Sequence, residues 1–196
     1  MVVQTEPLLY SPEDYLKLEE TAEFKHEYRD GEIIPMTGGT TNHNQIAGNA
    51  YFQLKLALRG QNYRLFIGDV RLWIPDYRLY TYPDLMIIRG DIIYHENRSD
   101  TVLNPLVIVE VLSKSTGNYD RGDKFKFYRS IPEFQEYILI DQYQYSVEQF
   151  VKTEMGKWQL NFYESADAIL TLSSVEFQIN FADLYEQVNF KQSEEE

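Results

Sequence analysis

Apolar residues recur at helical spacing between Asn42 and Leu58. Ile46, Ala47, Ala50, Tyr51, Leu54, Ala57 and Leu58 form one stripe, and Gly60 follows as a stop. The spacing predicts a helix over 42–58. Upstream, Ser11-Pro12-Glu13-Asp14 has the order of an N-cap, a first-turn proline and first-turn acids, which predicts a helix from Ser11 to about Glu20. Residues 25–29 and 32–36 flank Asp30-Gly31, a dipeptide suited to a turn with positive φ, and read as a hairpin. Apolar runs predict strands at 63–67, 70–74, 84–88, 106–112 and 137–140. A second helix fits 120–130, ended by Ile131-Pro132, and a strand pair at 147–152 and 158–163 leads to a short helix at 181–188. Helices alternating with strands point to an α/β fold: a mixed central sheet flanked by helices, carrying an N-terminal helix and hairpin and an antiparallel meander.

Composition narrows the class. A chain of 196 residues, 43% apolar and 25% charged, can bury a sizeable core and is globular in character. No repeat or linker divides it, so one domain is expected over 1–190, followed by an acidic tail over 191–196. The absence of cysteine excludes disulfides, thiolate metal sites and a cysteine nucleophile. Residues 1–9 lack the basic and apolar blocks of a secretory signal, and no run approaches the ~20 apolar residues of a membrane span. The expected address is the cytoplasm, with no membrane partner. The net charge of −13 sits awkwardly with a duplex-binding surface, although Arg121, Lys124, Lys126 and Arg129 could form a local basic patch.

The chemistry lies in two runs. Leu106-Val107-Ile108-Val109-Glu110-Val111-Leu112 is apolar on both strand faces, as a central strand covered on both sides would be, and Glu110 is its only charge. A bare carboxylate there costs several kcal/mol, so it must be neutral, paired or metal-bound. In Tyr82-Pro83-Asp84-Leu85-Met86-Ile87-Ile88, Pro83 cannot donate to a ladder and belongs at the strand start, which puts Asp84 in its first positions. If the strands are neighbours, two carboxylates converge at one sheet edge, a ligand type suited to Mg²⁺ or Mn²⁺. Lys124, near the start of the next helix, could reach back to them as the cation that orients water and offsets phosphate charge.

Together, Pro83-Asp84, Glu110-Val111-Leu112-Ser113, Ser115-Thr116 and Tyr119-Asp120-Arg121-Gly122-Asp123-Lys124 resemble the Uma-type family of bacterial restriction endonucleases. That family lies within the PD-(D/E)-x-K phosphodiesterase superfamily, and the likeness runs from Ser11-Pro12-Glu13-Asp14-Tyr15 to Glu136-Tyr137. The resemblance implies a restriction-endonuclease-like core, a divalent metal held by Asp84 and Glu110, catalysis by these acids with Lys124, DNA as substrate, and a homodimer. Two departures stand out. The superfamily's lysine position, two residues after the acid, holds Leu112, which leaves Lys114 as a competitor to Lys124 for the cation. The predicted helix 42–58 contains no acid, so Glu32 or His43 could complete the set, with Asp69 a weaker option.

Plainer roles exist for each residue. Glu110 also fits a buried structural ion pair, Asp84 a strand-entry hydrogen-bond acceptor, Lys124 a solvated helix lysine and His43 a helix-start residue. Ser113, Ser115 and Thr116 fit a turn stabilised by hydroxyl–backbone bonds. Two classes of function follow: a metal-dependent endonuclease, or a catalytically silent nuclease-like module that binds nucleic acid or a protein partner.

Overall fold

The computed structural model describes residues 9–191. Helix α1 (Pro12–Glu19) opens on a capping box: the Ser11 hydroxyl accepts the Asp14 N–H at 3.1 Å, and the Asp14 carboxylate accepts back from Ser11. Strands β1 (His26–Arg29) and β2 (Glu32–Pro35) form the expected hairpin. Its turn needs glycine, because Gly31 has φ +106° and a Cβ there would lie 2.9 Å from the Leu9 side chain. Helix α2 (Thr41–Ala57) follows, N-capped by Thr40.

The remaining strands are β3 (Tyr63–Ile67), β4 (Arg71–Ile74), β5 (Leu79–Thr81), β6 (Leu85–Arg89), β7 (Thr101–Val102), β8 (Val107–Leu112), β9 (Glu136–Asp141), β10 (Val147–Lys152), β11 (Trp158–Tyr163), β12 (Ile169–Leu172) and β13 (Phe177–Asn180). They build a central six-stranded sheet, β11-β10-β9-β8-β6-β3, in which β8 and β9 run parallel and the other neighbours antiparallel. A second sheet, β2-β1-β5-β4-β7, carries the N-terminal hairpin, and β12 and β13 form a separate pair. The result is the expected mixed α/β fold, with helices on both faces of a mixed sheet.

Strand alternation sorts β8 between two cores. Val107, Val109 and Val111 pack with Ile46, Ala47 and Ala50 of α2 on one face, while Ile108 and Leu112 join Tyr128, Phe134 and Tyr137 on the other. Glu110 shares the parity of Ile108 and Leu112, so it points into the second, aromatic layer.

Several boundaries differ from the sequence pattern. The helix expected over 120–130 begins earlier, as α3 (Gly117–Tyr119), passes through a π-helical stretch (Asp120–Lys124) and continues as α4 (Phe125–Tyr128). Strands β5 and β7 are too short to show a period, and β12 and β13 lie where no element is predicted. The last helix, α5 (Phe181–Leu184), is shorter than the predicted 181–188. Beyond Lys191 the acidic tail lies outside the described residues, as do residues 1–8. Among the described residues no helix is long and apolar enough to cross a membrane.

Ile108 is fully buried beside Glu110's layer. Ile108→Ala is expected to lower the unfolding free energy by about 2–5 kcal/mol in urea denaturation. A near-neutral result would contradict the packing described for β8.

Candidate active site

The register of β6 on β8 fixes the geometry. Leu85 pairs with Val109 and Met86 with Ile108, so one step further Asp84 stands opposite Glu110 on the same face of the sheet. The ladder hydrogen bonds give way here to side chains. The Asp84 N–H donates to Glu110 Oε2 at 3.3 Å, and Asp84 Oδ2 accepts the Val111 N–H at 2.7 Å. The two acids expected to converge are thus neighbours across one pair of strands.

Lys124 meets them from the helix above. Its Nζ lies 3.1 Å from Glu110 Oε1, which also accepts the Tyr128 hydroxyl at 2.7 Å. Both partners of this ion pair are buried, Glu110 at 4% and Lys124 at 8% exposure. The same ammonium lies 3.1 Å from Asp120 and 4.0 Å from Glu27. Asp120 and Lys124 bracket the π-helical stretch, and such widened turns recur at functional sites.

His43 joins from the first turn of α2, its Nε2 2.9 Å from Asp84 Oδ1. The helix start is pinned by its own cap. The Thr40 hydroxyl accepts the His43 N–H at 3.1 Å and donates to Gln142 Oε1, and the Gln142 amide donates to the Leu112 carbonyl at 2.6 Å. Gln142 therefore ties the N-terminus of α2 to the end of β8. The patterning gave no sign of this link, because glutamine carries no period.

Other expected residues lie elsewhere. Glu32 is exposed and pairs with Arg29 at 3.2 Å, so it does not complete the acid set. Hairpin register explains why: Glu27 opposes Ile34, and Arg29 opposes Glu32. All four share a face, but Glu27 lies two residues deeper, where it accepts the Thr81 hydroxyl and faces Lys124. Glu27 and Asp120 complete the acid cluster without any mark in the sequence pattern, one lying in a short hairpin strand and the other at the expected start of a helix. Lys114 falls beyond the end of β8, so strand parity no longer applies to it; it is exposed, with its ammonium 5.4 Å from the Tyr143 ring centroid. Asp69 is exposed and bonds to Lys25. The basic patch is also dispersed: Lys124 is buried, and Arg121 is held by Glu148 at 2.7 Å. Ser113, Ser115 and Thr116 do shape the turn, with the Ser113 hydroxyl accepting the Thr116 N–H at 3.1 Å.

The Uma2 family model, described as "Putative restriction endonuclease", matches residues 12–182. The chain belongs to the Uma2 family. Two uncharacterized proteins of Synechocystis sp. are similar to it. One is 43% identical over 160 residues, covering 82% of this chain and 90% of its own length. The other is 34% identical over 161 residues, covering 81% and 83%. A crystal structure described as "a putative nuclease belonging to DUF820", from Anabaena variabilis, matches with a TM-score of 0.74 at 19% identity, covering 92% of this chain and 99% of that one. At that identity the likeness is one of fold.

Electrostatics set this Uma2 site apart from an ordinary ion pair. Burial outweighs the attraction of Lys124 and, helped by Asp84 and Asp120, pushes the Glu110 carboxyl up to about 8. Burial alone would lower Lys124, but Glu110, Glu27 and Asp120 outweigh it and keep the ammonium charged. Burial likewise lowers His43, and the hydrogen bond and charge of Asp84 overcome it, leaving the imidazole more basic than usual. Four carboxyl groups thus surround one lysine and one histidine. The cluster is short of positive charge.

Among the described residues, no three or more His, Asp or Glu side chains are grouped closely enough to hold an ion on their own. Mg²⁺ commonly takes only one or two carboxylates and fills its shell with water and substrate phosphate. The donors here fit that pattern. Glu110 Oε1 is committed to Lys124 and Tyr128, whereas among the described residues Oε2 accepts just the long bond from Asp84, and Asp84 supplies a second hard oxygen donor. Asp84 and Glu110 are the residues that could hold such an ion.

Glu110 and His43 both bind a proton more tightly in the fold than in the unfolded chain. Their contribution to stability is therefore full below their ordinary pKa values and is lost as pH rises through the folded ones. In chelator, the native protein should lose stability relative to Glu110→Gln as pH climbs from 4.5 toward about 8. Chemical denaturation across that range checks this, and a pH-independent difference would contradict it.

Proposed function

We propose that this Uma2 chain is a divalent-metal-dependent endonuclease that hydrolyses DNA phosphodiester bonds. The observation that carries the reading is the opposition of Asp84 and Glu110 across one strand pair, with the Lys124 ammonium 3.1 Å from Glu110. Mg²⁺ or Mn²⁺ held by these two carboxylates would neutralise them and polarise a phosphoryl group brought between them.

The chain's own groups supply the rest. Lys124, kept charged by three acids, offers an ammonium to the negative charge that grows on the phosphoryl oxygens during attack. Tyr128 fixes the rotamer of Glu110 from one oxygen and leaves the other turned toward Asp84. Asp84 is held at both oxygens, by the Val111 N–H and by His43, so its carboxylate is preorganised before substrate arrives. His43 keeps a proton at Nε2 beside Asp84. Glu27 and Asp120 hold the ammonium in position and keep it protonated.

DNA incubated with Mg²⁺ or Mn²⁺ should be cut by the native protein, with the rate falling by about 10²-fold or more in Asp84→Ala, Glu110→Ala and Lys124→Ala. Glu32→Ala and Lys114→Ala should retain cleavage. Cleavage indifferent to all three site changes would remove this assignment. Metal and DNA binding without any cleavage would favour a silent nuclease-like module.

A further inference from the structure

A cleft of about 430 Å³ opens directly onto Lys124. One wall is the end of the N-terminal hairpin, with Ile34, Pro35 and Met36, and the other is the turn and helix after β8, with Ser115, Thr116 and Tyr119. Lys124 and Glu27 line it as well, so the ion-pair cluster and the cleft share residues. Apolar walls on one side and hydroxyls on the other are the make-up of a small-molecule site, and the volume lies within the ~300–1,000 Å³ such sites occupy.

Two observations indicate what the cleft takes. The Tyr119 hydroxyl is buried and, among the described residues, has no hydrogen bond of good geometry; the Arg29 guanidinium is near, 5.7 Å from its ring centroid, and interacts with it only weakly. A buried hydroxyl without a partner is costly in a finished structure, and a ligand's polar edge would satisfy it. The second observation is the charge. The chain carries 31 acids against 18 Lys and Arg, and the two cations that line the cleft, Lys124 and Arg29, are engaged by carboxylates, as is nearby Arg121, so the cleft itself offers little to follow two phosphate backbones. A duplex gains most of its affinity from such contacts. A single strand can gain it instead from bases inserted one at a time between side chains.

We infer that this cleft receives one unstacked nucleoside adjoining the scissile phosphate, making single-stranded or locally opened DNA the preferred substrate. The inference rests on the phosphodiesterase reading for the location of that phosphate. The hairpin's apolar wall packs against the face of the base, and Tyr119, Ser115 and Thr116 meet its polar edge. In a closed duplex the base must first leave its stack, which costs a few kcal/mol and disfavours that substrate.

The test uses the full chain with one sequence presented as a single strand and as a blunt duplex, each carrying 2-aminopurine. With Mn²⁺, the single strand should be cut with about tenfold or greater advantage in kcat/KM. Met36→Trp, which fills the cleft, should abolish that advantage mainly through KM and leave Mn²⁺ affinity unchanged. Ser115→Trp blocks the opposite wall and serves if Met36→Trp fails to fold. Equal cutting of both substrates, unaffected by either block while Asp84→Asn still abolishes it, overturns the cleft and leaves the nuclease reading standing. If neither substrate is cut, fluorescence in Ca²⁺ decides. Saturable 2-aminopurine quenching lost in the blocked variants supports the cleft, and no quenching overturns it.

Discussion

A single ammonium, that of Lys124, lies within 4.0 Å of three carboxylates, Glu110, Asp120 and Glu27, all of them largely buried at the foot of the cleft. Removing any one charge from a buried ion pair is expensive, yet replacing the whole set by apolar side chains commonly costs nothing in stability. Fold stability alone therefore does not account for this cluster. Its excess of negative charge, increased by Asp84, is only partly satisfied by Lys124, which is in keeping with the proposed dication.

The fold supports that cluster from several directions. β6 and β8 set the acids opposite each other, the π-helical turn brings Asp120 and Lys124 down onto them, and β1 delivers Glu27 from a second sheet. Gln142 holds both the end of β8 and the cap of α2, so the relation of His43 to Asp84 depends on a residue that touches neither. A site assembled from separate elements in this way has little freedom to adjust. Such preorganisation is what electrostatic catalysis requires.

Most of the scaffold was legible because it follows simple periods. The 42–58 stripe, the Asp30-Gly31 turn and the paired strands at 147–152 and 158–163 appear where the pattern puts them. Glu110 was legible as a charge with no polar neighbours in its strand, and Asp84 through the proline before it. Glu27 was not, because alternation in a four-residue strand does not tell an inward acid from an outward one until the partner sheet is known. Asp120 was hidden by the π-helical turn, which changes which helix positions share a face. Glu32 and Glu27 look alike in the sequence for the same reason: parity gives the face, but depth comes from the neighbouring sheet.

Whether Asp84 and Glu110 hold an ion together is decided by Mn²⁺ uptake, followed by loss of the free-ion EPR signal in a calorimetrically matched titration. Saturable binding is expected in the native protein, weakening by about tenfold or more in both Asp84→Asn and Glu110→Gln. Binding of equal strength in all three proteins would contradict a shared ion.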